Sequence, residues 1–221
     1  MLKELRQAVL ECARQMVADG FAYESQGNLS ALDRESGLIV ITPSALPYKE
    51  MRWEDICVID PAGKPIAGRW KPTSEMPMHT ILYRERPDVA AVVHSHAPHA
   101  SVFAVIDEPI PLILAEAALC LTGPVPVAPY LRPGTEALAR SVLETLAGGA
   151  AVLLGSHGLL TVGASLEQAY AATVAAEVAA RLTILARSMG ASVRPIDEQE
   201  CQSLRALYLA GYAPKAVNGE R

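Results

Sequence analysis

No two cysteines of this 221-residue chain stand close enough to share a metal or a short disulfide loop. Cys12, Cys57, Cys120 and Cys201 are widely spaced and form no Cys-x-x-Cys pair, so neither a thiolate zinc site nor a disulfide framework is expected. They read instead as small core residues. Basic clusters are missing too: the formal net charge is -5 and the arginines and lysines are scattered. Nucleic acid and anionic membrane are therefore not expected as partners. There is no Walker loop and no Gly-x-Gly-x-x-Gly, which removes the usual sequence basis for nucleotide binding. The most apolar runs, near 112–121 and 150–154, are short, and Glu116 interrupts the first, so no membrane span is expected. The N-terminus passes directly into an amphipathic helix without the pattern of a signal peptide, and the expected location is cytoplasmic.

What remains is a chain with 51% hydrophobic residues and no internal repeat or Pro/Gly/Ser linker, suited to one domain with a sizeable core. Leu5, Val9, Cys12, Met16 and Val17 recur at helical spacing over 3–19, closed by Asp19-Gly20. Strands are expected over 37–44, at 56–60 and around 65–67, with Pro61-Ala-Gly63 as a turn. Thr73-Ser74-Glu75 followed by Met76-Pro77 carries helix-start signals, which place Glu75 at a helix N-terminus. Further helices are expected over 98–105, 134–147 and 165–189, the last rich in alanine. Helices and strands mix without a strict βαβ rhythm. The expected fold class is α/β, a three-layer α/β/α sandwich with a mixed, largely antiparallel central sheet.

The chemistry concentrates in a few polar residues. Ala-Val-Val-His94-Ser-His96 puts two imidazoles two residues apart at the end of a buried strand, so both rings project to one side and can share an ion. His157, followed by Gly158, ends a second apolar run and completes a three-histidine site if the two strands lie side by side. Three neutral imidazoles with one open position suit a catalytic divalent ion better than a structural one. A hydrogen-bonded core role is the alternative for each histidine taken singly. Glu75 can act as a further ligand and as a base, or merely favour the helix dipole. Gly27-Asn28, Thr42-Pro43-Ser44-Ala45 and Thr73-Ser74 are small polar turns able to offer backbone amides to a phosphate.

Together these residues resemble the class II aldolase/adducin family, most closely its L-fuculose-phosphate aldolase branch, over roughly 5–212. The motifs that carry the resemblance are Gly27-Asn28-Leu-Ser30, Ile41-Thr42-Pro43-Ser44, Pro72-Thr73-Ser74-Glu75, Val93-His94-Ser-His96, Pro126-Val-Ala-Pro129-Tyr130 and His157-Gly158. The resemblance implies a single class II aldolase-like domain over 1–213 with a flexible tail over 214–221. It also implies a Zn2+ ion, or Mn2+, Co2+ or Fe2+ in its place, held by His94, His96 and His157. Glu75 would be the fourth ligand and, once substrate binds, the proton-transferring residue, while Gly27, Asn28, Ser44, Ala45, Thr73 and Ser74 would cradle a sugar phosphate. The implied activity is reversible cleavage of a ketose 1-phosphate, such as L-fuculose 1-phosphate or a 5-deoxypentulose phosphate, to dihydroxyacetone phosphate and an aldehyde through a metal-stabilised enediolate. Sister decarboxylases, dehydratases and epimerases share that chemistry. The adducin branch keeps the fold as an interaction domain and generally lacks the metal histidines present here.

Family members are typically homotetramers with sites at subunit boundaries, where a C-terminal tyrosine reaches into the neighbour's site. Tyr212 is the candidate, with Tyr208 as the alternative. The chain departs from the aldolase pattern at Ala115-Glu116, where that branch has a catalytic tyrosine. A carboxylate in an apolar run must face the site cavity or an interface. The expectation is the cavity, with Glu116 as a substitute proton donor or a selector of the aldehyde.

Overall fold

A computed structural model describes residues 1–210, without the side chains of 198, 208 and 209. The elements, in chain order, are α1 (Lys3–Ala18), β1 (Asn28–Leu32), β2 (Ile39–Ile41), β3 (Cys57–Ile59), β4 (Pro65–Ala67), α2 (Met76–Glu85), β5 (Ala91–Ser95), α3 (Pro98–Ile106), α4 (Ala115–Cys120), β6 (Val127–Ala128), α5 (Glu136–Leu146), β7 (Ala151–Leu154), β8 (Gly158–Gly163), α6 (Leu166–Ser188) and α7 (Glu198–Leu209).

The strands form one eight-stranded sheet in the order β4-β3-β2-β1-β5-β8-β7-β6. Every pairing is antiparallel except β6 with β7. Central strands such as β5 and β7 are buried at every position, which is why they read as continuous apolar runs. On one face, α2 and α5 bring Met78, Ile81, Leu82, Leu138 and Val142 against Ile39, Ile41, Val92, Leu160 and Val162. On the other, α1 packs Val9, Ala13 and Met16 on Leu29, Val40 and Val93. Beside it α3, α4 and α6 close over Leu153 and Leu159. This is the expected three-layer α/β/α arrangement, with helix starts marked by Thr135 accepting from the Leu138 amide and Ser165 from that of Gln168.

Several features depart from the sequence reading, among them β1, a strand that begins at Asn28 within the expected polar turn. The short helix α4 and the helix α7 were not anticipated. They pack on each other, and Cys201 and Leu204 of α7 join the cluster around Ala117 and Ala118, so contact rather than periodicity defines them. Next, α6 is long and apolar enough to cross a membrane by length and composition. Its Ala169, Ala172, Ala176, Ala179 and Ala180 are buried in the core, and that packing accounts for its apolarity. Finally, the cap of α2 is Glu75 itself, whose side chain makes no capping bond. The carboxylate is left for the site.

Candidate metal centre and phosphate pocket

The site begins where β5 ends. His94 lies on the face covered by α2, and His96 follows one pleat later, its backbone N–H donating to the Phe21 carbonyl at 2.8 Å. Their ring centroids are 5.1 Å apart. His157 arrives differently from the sequence expectation, because β7 does not lie beside β5: β8 separates them. His157 sits in the turn from β7 into β8, and β8 pairs with β5, setting Leu159 opposite Ser95. Gly158 is what permits this approach. A Cβ there would meet the Ser95 carbonyl oxygen at 2.5 Å and the rings of His96 and His94 at 3.1 and 3.3 Å. The result is three imidazoles that each offer one nitrogen, all within 4.8 Å of one another.

Protonation favours the role. Burial, then the neighbouring His157 and His96, holds His94 well below the ordinary imidazole range. Burial and His157 lower His96 as well. His94 Nδ1 stands 3.0 Å from the Leu159 carbonyl oxygen; a neutral ring donates there and leaves its Nε2 lone pair free. That Nε2 faces Glu75 Oε2 at 3.3 Å, and His157 Nε2 faces Glu75 Oε1 at 3.6 Å. His94 Nε2 and Glu75 Oε1 are buried and have no hydrogen-bond partner among the described residues. Bare acceptors turned on one another are unfavourable without a cation between them. Three neutral imidazoles and a carboxylate fit a divalent ion such as zinc.

Beside the histidines is a pocket of about 310 Å³, lined by all the phosphate candidates, Gly27, Asn28, Ser44, Ala45, Thr73 and Ser74, together with Glu75, His96 and His157. Among the described residues, no lysine or arginine lines it. Three separate turns meet here because the backbone ties them together. The Thr73 amide donates to the Thr42 carbonyl and the Ser44 amide to that of Lys71, each at 3.0 Å. The buried Tyr48 hydroxyl donates to the Gly27 carbonyl at 2.8 Å. Gly27 has φ +70°, and a Cβ there would lie 2.6 Å from the His94 carbonyl oxygen, so the turn needs glycine for both conformation and space. Ala45 holds a left-handed conformation, φ +58°, a backbone outlier of the kind that gathers at binding sites.

Glu116 does not join them. It is exposed on α4 and borders a different groove, with Cys120, Ala171 and Val174. This corrects the expectation that it faces the site cavity; solvent removes the desolvation cost on which that expectation rested. Tyr208 falls on α7, and Tyr212 lies outside the described residues.

The model of the Class II Aldolase and Adducin N-terminal domain matches residues 7–184. The chain belongs to this family. Class II aldolase relatives include the 5-deoxy-D-ribulose 1-phosphate aldolase of Bacillus thuringiensis serovar kurstaki, 34% identical over 202 residues and covering 90% of this chain and 94% of that one. The L-ribulose-5-phosphate 4-epimerase of Salmonella paratyphi B is 29% identical across 100% of both chains. Among solved structures, an L-fuculose 1-phosphate aldolase superposes with a TM-score of 0.89 at 31% identity, over 93% of this chain and 96% of that one.

Sequence reasoning missed a buried polar group behind this site. His79, fully buried on α2, hydrogen-bonds with Asn28 and Ser30. Its position four residues after Glu75 was the available signal, since i and i+4 share a helix face. Burial, partly opposed by Glu75, lowers His79 to about 3. As pH falls below about 6.5, the unfolded chain takes up protons that the native histidines refuse. Stability should therefore fall with acidification from about 6.5 toward 3, by up to about 1.4 kcal/mol per pH unit for each such histidine. Urea midpoints of chelator-treated protein between about pH 5 and 7, above most carboxylate titration, test this; a flat profile would contradict it.

Proposed function

We propose that the protein is a divalent-metal-dependent aldolase, with zinc as the expected ion, that reversibly cleaves a ketose 1-phosphate of the deoxy-sugar type to dihydroxyacetone phosphate and an aldehyde. The observation that carries this reading is the buried Glu75 carboxylate facing the His94 and His157 nitrogens at the edge of a pocket of small polar turns. An ion held by His94, His96 and His157, with Glu75 as a further donor, supplies Lewis acidity toward the carbonyl and adjacent hydroxyl oxygens of the ketose.

The chain's own residues do the rest. Gly27, Asn28, Ser44, Ala45, Thr73 and Ser74 hold the phosphate through amides and hydroxyls rather than through a cationic side chain. That anchor sets the ketose carbonyl toward the histidines. Cleavage breaks the bond between the third and fourth carbons: the fourth becomes the aldehyde as its hydroxyl proton passes to a base at the aldehyde end, and the electron pair stays with the phosphate-bearing fragment. Glu75 moves the proton at that third carbon, giving it in cleavage and taking it in condensation. Tyr212 of a neighbouring copy is the candidate for the aldehyde end.

Relatedness to an epimerase along the full length of both chains supports a second reading, epimerisation of a pentulose phosphate by breaking and re-forming the same type of bond. Incubating the metal-loaded protein with dihydroxyacetone phosphate and acetaldehyde or lactaldehyde separates the two. Condensation products are expected; their absence, with L-ribulose 5-phosphate epimerised instead, would favour the second. Purified protein lacking a stoichiometric divalent ion under non-stripping conditions would sink both.

Assembly as a homotetramer belongs to the same proposal. The outer surface of α3 and α6 exposes Val102, Val105, Ile106, Val178, Leu182 and Leu185 at between 37% and 65%, an apolar surface of the kind buried between subunits. Val105→Glu is expected to shift the sedimentation coefficient toward that of a smaller species without unfolding the chain. An unchanged assembly would show that this face lies outside the interface.

A further inference from the structure

A chain of hydrogen-bonding groups runs from Glu75 into the core, away from the pocket. Asn28 Nδ2 donates to Glu75 Oε2 at 2.8 Å. Asn28 Oδ1 lies 2.5 Å from His79 Nε2, His79 Nδ1 lies 2.7 Å from Ser30 Oγ, and Ser30 Oγ lies 2.6 Å from Tyr83 OH. All five residues are at most 9% exposed. The alignment follows from matched spacings. Asn28 and Ser30 are two apart on β1, a rise of about 6.7 Å; Glu75, His79 and Tyr83 are four apart along α2 and its cap, about 6 Å per step. Strand and helix therefore interdigitate their polar side chains.

With His79 neutral, only one arrangement of protons satisfies every member. A carboxylate accepts only, so the Asn28 amide turns its NH2 toward Glu75. The amide carbonyl then faces His79, whose Nε2 must carry the proton. A neutral ring leaves Nδ1 to accept from the Ser30 hydroxyl, and that single proton is then committed, so Tyr83 donates to Ser30 Oγ. Every donor points toward Glu75. An asparagine amide does not readily pass a proton onward, so the chain orients groups rather than conducting protons.

We propose that His79 is a positioning residue for Glu75: as the Nε2–H tautomer it locks the Asn28 amide with its NH2 on Glu75 Oε2, which holds the carboxylate with Oε2 toward His94 Nε2 and Oε1 toward His157 Nε2. Without that donor the amide is free to rotate, and its carbonyl would repel the carboxylate. The inference rests on the reading of Glu75 as the carboxylate of the metal site, and its first test does not depend on activity.

Nitrogen-15 NMR of the full chain, labelled at histidine and supplied with zinc, should show His79 protonated at Nε2 and bare at Nδ1. A His79 protonated at Nδ1, or at both nitrogens, overturns the proposal. Titration with Co2+, followed by its visible absorption, should show His79→Leu binding at least ten-fold more weakly than the parent, in the range known for groups that orient metal ligands. A folded His79→Leu with parental affinity overturns it. Should that variant fail to fold, Ser30→Ala, which removes one oxygen, decides: at least three-fold weaker binding is expected and unchanged binding overturns. Failure of the parent chain to bind zinc or cobalt would refute the aldolase reading instead, while the tautomer would still decide this one.

Discussion

Glu75→Gln is expected to reduce turnover about 10³-fold or more, with metal content unchanged, which is within the range for loss of a positioned general base. Glutamine preserves the shape and can still accept from Asn28 Nδ2, which holds Oε2 at 2.8 Å. It cannot take a proton from carbon. The three imidazoles are untouched, and their mutual approach within 4.8 Å suffices to hold an ion. Turnover per bound metal, from condensation rates and elemental analysis of the same sample, separates the two functions of the carboxylate. Undiminished turnover per metal would show that another group moves the proton. Loss of both metal and turnover would instead make Glu75 a ligand first.

Gly158→Ala should damage the site through the backbone, although Gly158 has no side chain to take part in the chemistry. Its new Cβ would press on the Ser95 carbonyl oxygen at 2.5 Å and on the rings of His96 and His94 at 3.1 and 3.3 Å. Ser95 and His94 belong to β5, a strand paired on both sides, and His96 follows it directly, so relief requires β5 and β8 to part beside the histidines. Overpacking of this kind destabilises by about 1–3 kcal/mol, and displaced ligands should weaken metal binding roughly ten- to hundred-fold. Gly148→Ala is the control, because a Cβ there meets nothing within 4 Å and should leave stability within about 0.5 kcal/mol. Urea unfolding and cobalt titration of the two variants side by side provide the check. Equal behaviour would mean that the β5–β8 approach is not what positions the rings.

The His94–His96 pair was legible in the sequence because alternation along a strand is a local property: two residues apart means one side, whatever the strand packs against. The helices α1, α2, α3, α5 and α6 were legible for the same reason, through spacing and end signals carried within each segment. The helices α4 and α7 were not. One is six residues long, and the other is held largely by packing against it. Glu116 was misplaced by the same gap, since an apolar neighbourhood in sequence does not say which side of a short helix meets solvent.

By itself, then, the sequence determined the composition of the site: three imidazoles, one carboxylate at a helix start, and small polar turns without a cation. Family membership follows from those motifs and their order. Tertiary structure alone decided how they meet. It brought His157 in through the β7–β8 turn rather than along a neighbouring strand, and turned the Glu75 carboxylate away from its own helix cap toward Asn28. It also placed His79 behind them both. Each outcome depends on contacts between residues more than forty positions apart, and such contacts are set by strand order and helix docking, which no local period encodes.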